Sequence, residues 1–136
     1  MKFIDEIKAR AKQDVKTIVL PETRDKRTLI AAAQVLKEGT AKIVMVGDEE
    51  KIKDGAHWLD VELDGITVVN PETSPKLDEY VNLLYELRKK KGMTLESARE
   101  QLLNNYIMFG VMMVKCKDAD GMVAGCCHAT ADVLRP

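Results

Sequence analysis

The stretch TIVLPETRDKRTLIAAAQVLKEGTAKIVMVGD, Thr17 to Asp48, decides the fold. It opens on Thr17-Ile18-Val19-Leu20, a short β-branched run that stops at Pro21-Glu22, as a buried strand ending in a loop does. From Thr23 to Lys37 the apolar residues Leu29, Ala32, Ala33 and Leu36 recur on one helical face. Gly39 follows as the stop, since glycine takes the left-handed conformation that ends helices. Ile43 to Val46 is a second apolar run, closed by Gly47-Asp48, a pair suited to turning the chain and capping the next helix. Strand, helix, strand at this spacing is the unit from which parallel sheets are built.

The same alternation continues outward. Upstream, Phe3, Ile4, Ile7 and Ala11 stand among charges, an amphipathic helix and not the unbroken apolar core of a signal peptide. Downstream, Glu49 to Leu63 reads as irregular and carries the single tryptophan, Trp58, beside His57, both expected as packing residues on an irregular surface. Ile66 to Val69 is a third strand. Asn70-Pro71 through Ser74-Pro75 then stops it and opens a helix from Lys76 to Lys91, with Leu77, Tyr80, Val81, Leu84 and Leu87 as its stripe. Gly92 ends that helix, Thr94 with Ser97-Ala98-Arg99 begins another, and Asn104-Asn105 interrupts the pattern before Tyr106 to Lys117. Met108, Met112 and Met113 there are expected on a core face. After the polar Asp118 to Gly121, Met122-Val123-Ala124 reads as a final buried strand. The prediction is an α/β fold, a three-layer α/β/α Rossmann-like arrangement on a mostly parallel sheet.

Composition narrows the function classes. A chain of 136 residues suits one domain, 1–136, and 46% hydrophobic residues supply a core that must be aliphatic, because only 4% are aromatic. A formal charge of −1 offers neither nucleic acid nor membrane a concentrated positive face. No apolar run approaches the roughly 18 residues that span a bilayer, so a cytoplasmic protein is expected. Three cysteines without a secretion signal are expected as reduced thiols.

Doubly wound sheets bind ligands at the carboxyl ends of their strands. That directs attention to Pro21-Glu22, Gly47-Asp48, Asn70-Pro71 and Gly125 to Thr130. In the last of these, Cys126, Cys127 and His128 invite a metal. Neighbours on an extended strand point to opposite faces, however, and neither Cys116 nor His57 adds a ligand pair, so no metal is expected and small packing thiols fit better. Thr130 either caps an incoming helix or, with exposed backbone N–H groups, holds a phosphate; Arg135 either supplies a fork of donors for phosphoryl oxygens or sits on a solvated face. The run Arg88 to Lys91 divides in the same way between stabilising a helix C-terminus and meeting a polyphosphate. No glycine-rich nucleotide loop is present.

Two blocks, IVLPETRDKRTLIAAAQVL (Ile18 to Leu36) and DADGMVAGCCHATADVLRP (Asp118 to Pro136), with YIMFGVMMVK (Tyr106 to Lys115) between them, resemble the N-terminal part of the phosphate acetyltransferases. That group lies within the broader phosphate acetyl/butyryltransferase family. The resemblance implies an incomplete first domain of a two-domain enzyme, and transfer of an acetyl group between coenzyme A and inorganic phosphate. Its substrates would be small molecules, CoA or acetyl-CoA with phosphate or acetyl phosphate, without a tightly bound cofactor, and the full-length protein would be a homodimer. Thr130 matches the small hydroxyl residue of the family's phosphate-binding turn, Arg135 the arginine that grips the phosphoryl group, and Arg88 is similar in context to an arginine implicated in CoA binding. Ala129 stands where many members carry serine, which leaves Thr130 more of the role. The family's Ser-Arg pair and Asp base belong to its C-terminal part, so this chain alone is expected to be inactive. A butyryl-specific transferase and a non-catalytic phosphate-binding or interaction domain are the alternatives.

Overall fold

The structure, a computed structural model, describes residues 2–125. The chain runs α1 (Lys2–Gln13), β1 (Lys16–Leu20), α2 (Lys26–Glu38), β2 (Ala41–Val46), α3 (Glu49–Leu59), β3 (Thr67–Val69), α4 (Leu77–Arg88), α5 (Leu95–Asn104), α6 (Tyr106–Lys115) and β4 (Gly121–Met122). The four strands form one sheet in the order β3-β2-β1-β4, with every pair parallel. Ile18 lies opposite both Ile43 of β2 and Gly121 of β4, which sets the register.

Side-chain alternation along β2 divides the core in two. Ile43 and Met45 point to one face and pack with Leu29, Ala32 and Ile52 from α2 and α3. Val44 and Val46 point to the other, where Val19 joins Tyr80, Leu84, Leu102, Phe109 and Met112 from α4, α5 and α6. Helices therefore cover both faces, and the result is the three-layer α/β fold that the strand–helix alternation predicts. The second layer is the larger, and Phe109, fully buried, meets the Tyr80 ring edge-on at 5.2 Å. Burying one such ring is worth about 2–3 kcal/mol before side-chain entropy is subtracted. No helix among the described residues is long and apolar enough to cross a membrane.

The helix boundaries follow local chemistry. Asp25 accepts the N–H of Arg27 at the start of α2, Asp48 that of Lys51 at α3, Thr94 that of Ser97 at α5, and Asn105 that of Met108 at α6. Gly39, at φ 70°, closes α2 in the left-handed conformation that a Cβ would strain. The stop of α2 and the starts of α5 and α6 thus sit where the sequence places them, whereas α2 starts at Lys26 and not Thr23 and α6 ends at Lys115.

Three expectations need correction. Glu49 to Leu59 is not irregular but a regular helix, and neither ring-bearing residue is packed: His57 is exposed and Trp58 is 78% exposed. Leu87 leaves the stripe of α4 and is half exposed, one residue before the helix gives way at Arg88 to a 3-10 turn, Lys89–Lys91. The last strand is shorter than expected, and Val123 is exposed at 63%. Met122 packs on the α6 side, so its neighbour points to the opposite face, where α2 and α3 lie over the other strands. The apolar side of α1 is likewise uncovered among the described residues: Phe3, Ile4 and Ile7 are all exposed, and the helix is attached through Lys8, whose ammonium meets Glu38 at 2.8 Å.

Candidate active-site edge

Strand order determines where a site can form. Connections from β1 to β2 to β3 move one way across the sheet, and β4 returns to the other side of β1, so the switch point lies between the carboxyl ends of β1 and β4. Loops there diverge to opposite faces and leave a crevice.

Glu22, the second residue past β1, occupies that crevice. It is 3% exposed, and its Oε1 accepts the backbone N–H of Gly125, three residues past the end of β4. A carboxylate thus joins the two strand ends across the switch point, on the segment that leads directly into Cys126. Next to it, Thr23 is buried and its hydroxyl donates to the carbonyl of Val46 at 2.9 Å, which ties the β1 loop to the end of β2. Gly47 completes the tie: its N–H donates to Val69 at 2.9 Å, and a Cβ on it would lie 2.6 Å from the Thr23 hydroxyl oxygen, so only glycine fits. The ends of β1, β2 and β3 and Gly125 are therefore tied into one edge.

Arg24 follows, with its guanidinium 5.6 Å from the centre of the Tyr106 ring, a cation–π distance. Beside it a cleft of about 270 Å³ opens between the N-terminal halves of α2 and the length of α3. Arg24, Lys26 and Lys51 line it with Asp48, and Trp58 and Tyr106 supply aromatic walls. Gly55 allows the two helices to approach, since its Cβ position lies 2.8 Å from a methyl of Leu29. A second hollow, about 330 Å³, lies past β3 among Asn70, Ser74, Lys76, Tyr80 and Asp118. There the buried Tyr80 hydroxyl donates to the Asp118 carboxylate, and burial first, then that bond, pushes the phenol well above its ordinary value.

The predicted site residues stand as follows. Arg88 is the last residue of α4, half-buried, and its carbonyl accepts the N–H of Met93 at 3.4 Å. Thr130 and Arg135 lie outside the described residues, as do Cys126, Cys127 and His128. Cys116 is a half-buried free thiol whose pKa is raised, chiefly by burial. Among the described residues no group of three or more His, Cys, Asp or Glu side chains is placed to hold a metal. The sequence marks Pro21-Glu22 and Gly47-Asp48 as loops of interest but carries no separate signal for Thr23 or Lys51, and it reads Trp58 as a packing residue and not as a cleft wall. The signal for α3, and with it for the cleft, is Asp48 as cap with Ile52, Ala56 and Leu59 at helical spacing.

Comparison with known proteins agrees with this architecture. The family described as phosphate acetyl/butaryl transferase matches residues 2–136. A protein of Acetivibrio thermocellus named phosphate acetyltransferase is 51% identical over 136 residues, all of this chain and 40% of the relative. One of the same name from Thermoanaerobacterium thermosaccharolyticum is 48% identical over the same span, again 40% of its length. The crystal structure of a phosphotransacetylase from Streptococcus pyogenes superposes with a TM-score of 0.90 at 33% identity, covering 99% of this chain and 40% of that one. The chain thus spans about 40% of the length of the curated relatives it matches. A match across the whole described sheet and beyond it, at these identities, makes the chain a member of the phosphate acetyl/butaryl transferase family.

Proposed function

We propose that this chain is the first α/β part of a phosphate acetyltransferase, which moves an acetyl group between coenzyme A and inorganic phosphate. The observation that supports this reading best is the unbroken similarity, over all 136 residues, to proteins bearing that name. Both relatives named above are acetyl and not butyryl transferases, which favours the two-carbon substrate.

In the proposed reaction the CoA thiolate attacks the carbonyl carbon of acetyl phosphate. A C–S bond forms, the C–O bond to phosphate breaks, and phosphate leaves with the electron pair while the thiol proton passes to a base supplied elsewhere in the enzyme. This chain contributes an anion site. Thr130 and the backbone amides of the turn after Gly125 would face the departing phosphoryl oxygens, where donors at a helix start stabilise growing negative charge. Arg135 would hold the same group with its two-pronged guanidinium. Arg88, at the cationic end of α4, would meet the phosphates of CoA. The edge tied by Glu22, Thr23 and Gly47 suits this role, because electrostatic stabilisation depends on donors that need no rearrangement. The working protein is proposed as a homodimer, and the isolated 136-residue chain as catalytically silent.

Kinetics of the whole enzyme test the assignment. Thr130→Ala and Arg135→Ala should each lower kcat/KM for acetyl phosphate by about 10- to 100-fold, the loss of one charge-assisted hydrogen bond, and Arg88→Ala should raise KM for CoA. Wild-type constants in all three variants would overturn it.

A further inference from the structure

Trp58 is the chain's single tryptophan, and on a folded protein so large an apolar ring standing 78% exposed is uncommon. It sits on α3, in line with Lys51, Ile52, Gly55 and Leu59, the face that forms one wall of the 270 Å³ cleft. The opposite wall is α2 with the loop before it, which places Arg24 and Lys26 at the same end as Lys51.

Charge in the cleft is one-sided. Three cations line it against a single carboxylate, that of Asp48, which is engaged in capping the N–H of Lys51 at 3.2 Å. Neither Lys26 nor Lys51 has an ion-pair partner among the described residues, so neither charge is offset within the cleft. Cations gathered along one end of a groove favour an anion there. At the other end the groove offers a ring face. Lys51 and Trp58 are seven residues apart on one helix, about 10 Å of rise, which is the distance over which a nucleoside carries its phosphates. The volume admits one small molecule and excludes a peptide or a nucleic-acid strand.

We propose that the α2–α3 cleft binds a nucleoside phosphate, its phosphates held between Lys26, Lys51 and Arg24 and its base stacked on Trp58. Such a group is carried both by free adenine nucleotides and by the nucleotide end of coenzyme A. The chemistry of recognition is shared. The site does not rest on the acyl-transfer reading, since it uses neither Thr130 nor Arg135 nor Arg88.

The lone tryptophan makes the test direct. Titrating the 136-residue chain with ATP, with adenosine 3′,5′-bisphosphate and with CoA should quench Trp58 fluorescence saturably, while adenosine and inorganic phosphate alone should bind at least about 10-fold more weakly, because each engages one end of the cleft only. Lys26→Ala and Lys51→Ala should each weaken the nucleotide by about 5- to 20-fold with unchanged circular dichroism, because each removes one charge-assisted contact. Trp58→Leu, followed by calorimetry, should weaken it by a similar factor. Tighter binding of the bisphosphate and CoA than of ATP identifies the ligand as CoA's nucleotide end, and the reverse order identifies a free nucleotide. Absence of saturable quenching by all three, or equal affinity in both lysine variants, overturns the proposal, and the Thr130 and Arg135 kinetics are unaffected by that result.

Discussion

Replacing Tyr80 by phenylalanine should produce a stability loss that disappears as the solution is made alkaline. The ring stays where it is, 1% exposed against Phe109, and only the hydroxyl is removed. That hydroxyl donates to the Asp118 carboxylate, and a hydrogen bond to a charged acceptor contributes about 1.5–3 kcal/mol. Asp118 keeps Lys76 at 3.8 Å and its side chain remains 29% exposed, so water replaces the lost donor and the cost falls at the lower end, about 1.5 kcal/mol near neutral pH. The alkaline behaviour follows from the sign of the shift. In the fold the phenol is held protonated far above its ordinary 10.0, so the stabilisation is fully present below that value and is lost as pH rises beyond it, where the unfolded phenol ionises and the folded one does not. At about pH 11 ionisation of the unfolded state costs wild type about 1.4 kcal/mol, a cost that Tyr80→Phe does not carry. The two opposing quantities nearly cancel there. Urea unfolding of both proteins, followed by circular dichroism between about pH 7 and pH 11, measures the gap directly, and titration of lysines and of the other tyrosines is common to both. A gap that stays constant or widens with pH would refute the argument.

Two smaller perturbations test the edge and the core helix. Asn105→Ala should cost about 1 kcal/mol, because Asn105 caps the N–H of Met108 at the start of the most buried helix, and Asn105→Asp should restore most of it; equal losses in urea midpoint for both would dismiss the cap. Thr23→Val keeps the shape of a buried side chain but strands the Val46 carbonyl, so a loss of about 1–2 kcal/mol is expected, and an unchanged midpoint would mean that the hydroxyl does not tie the loop to β2.

The parts of the fold legible in the sequence are those where one local signal and one burial face agree. In α2 the stripe through Leu29 and Ala32 and the stop Gly39 point to the same answer, and the helix ends where they place it, although its start lies past Asp25 and not at Thr23. α3 carries the same kinds of signal, but Gly55 and the exposed His57 and Trp58 interrupt the pattern, and only the groove against Leu29 explains why a glycine belongs there. Apolar character alone misleads at Val123 and Leu87, because whether a partner helix reaches a given strand face or helix end depends on strand order and not on the residue. The candidate site divides likewise. That ligands belong at the strand ends follows from the parallel topology, whereas the bond between Glu22 and Gly125 spans 103 positions and leaves no mark in either local stretch.

That bond bears on how the last turn is aimed. β4 pairs with β1 through only two residue pairs, Ile18 with Gly121 and Val19 with Met122, and a ladder this short leaves the chain beyond it weakly directed. One further backbone bond, from the N–H of Val123 to Val19 at 3.0 Å, carries the contact a step on, after which β1 turns away at Pro21. Glu22 then does what a backbone carbonyl of a longer strand would do: its side chain reaches across and accepts the N–H of Gly125. A carboxylate is the stronger acceptor for that purpose, since hydrogen bonds to ionised groups are about twice as strong as neutral ones. It also brings an acidic side chain to an edge proposed to receive phosphate, which is tolerable where that side chain is engaged by a donor. The backbone N–H of Gly125 provides that engagement within the crevice, and Thr23, locked to β2, holds the adjacent chain. The ties at this edge are therefore what would make an acidic residue compatible with the anion site proposed beside it.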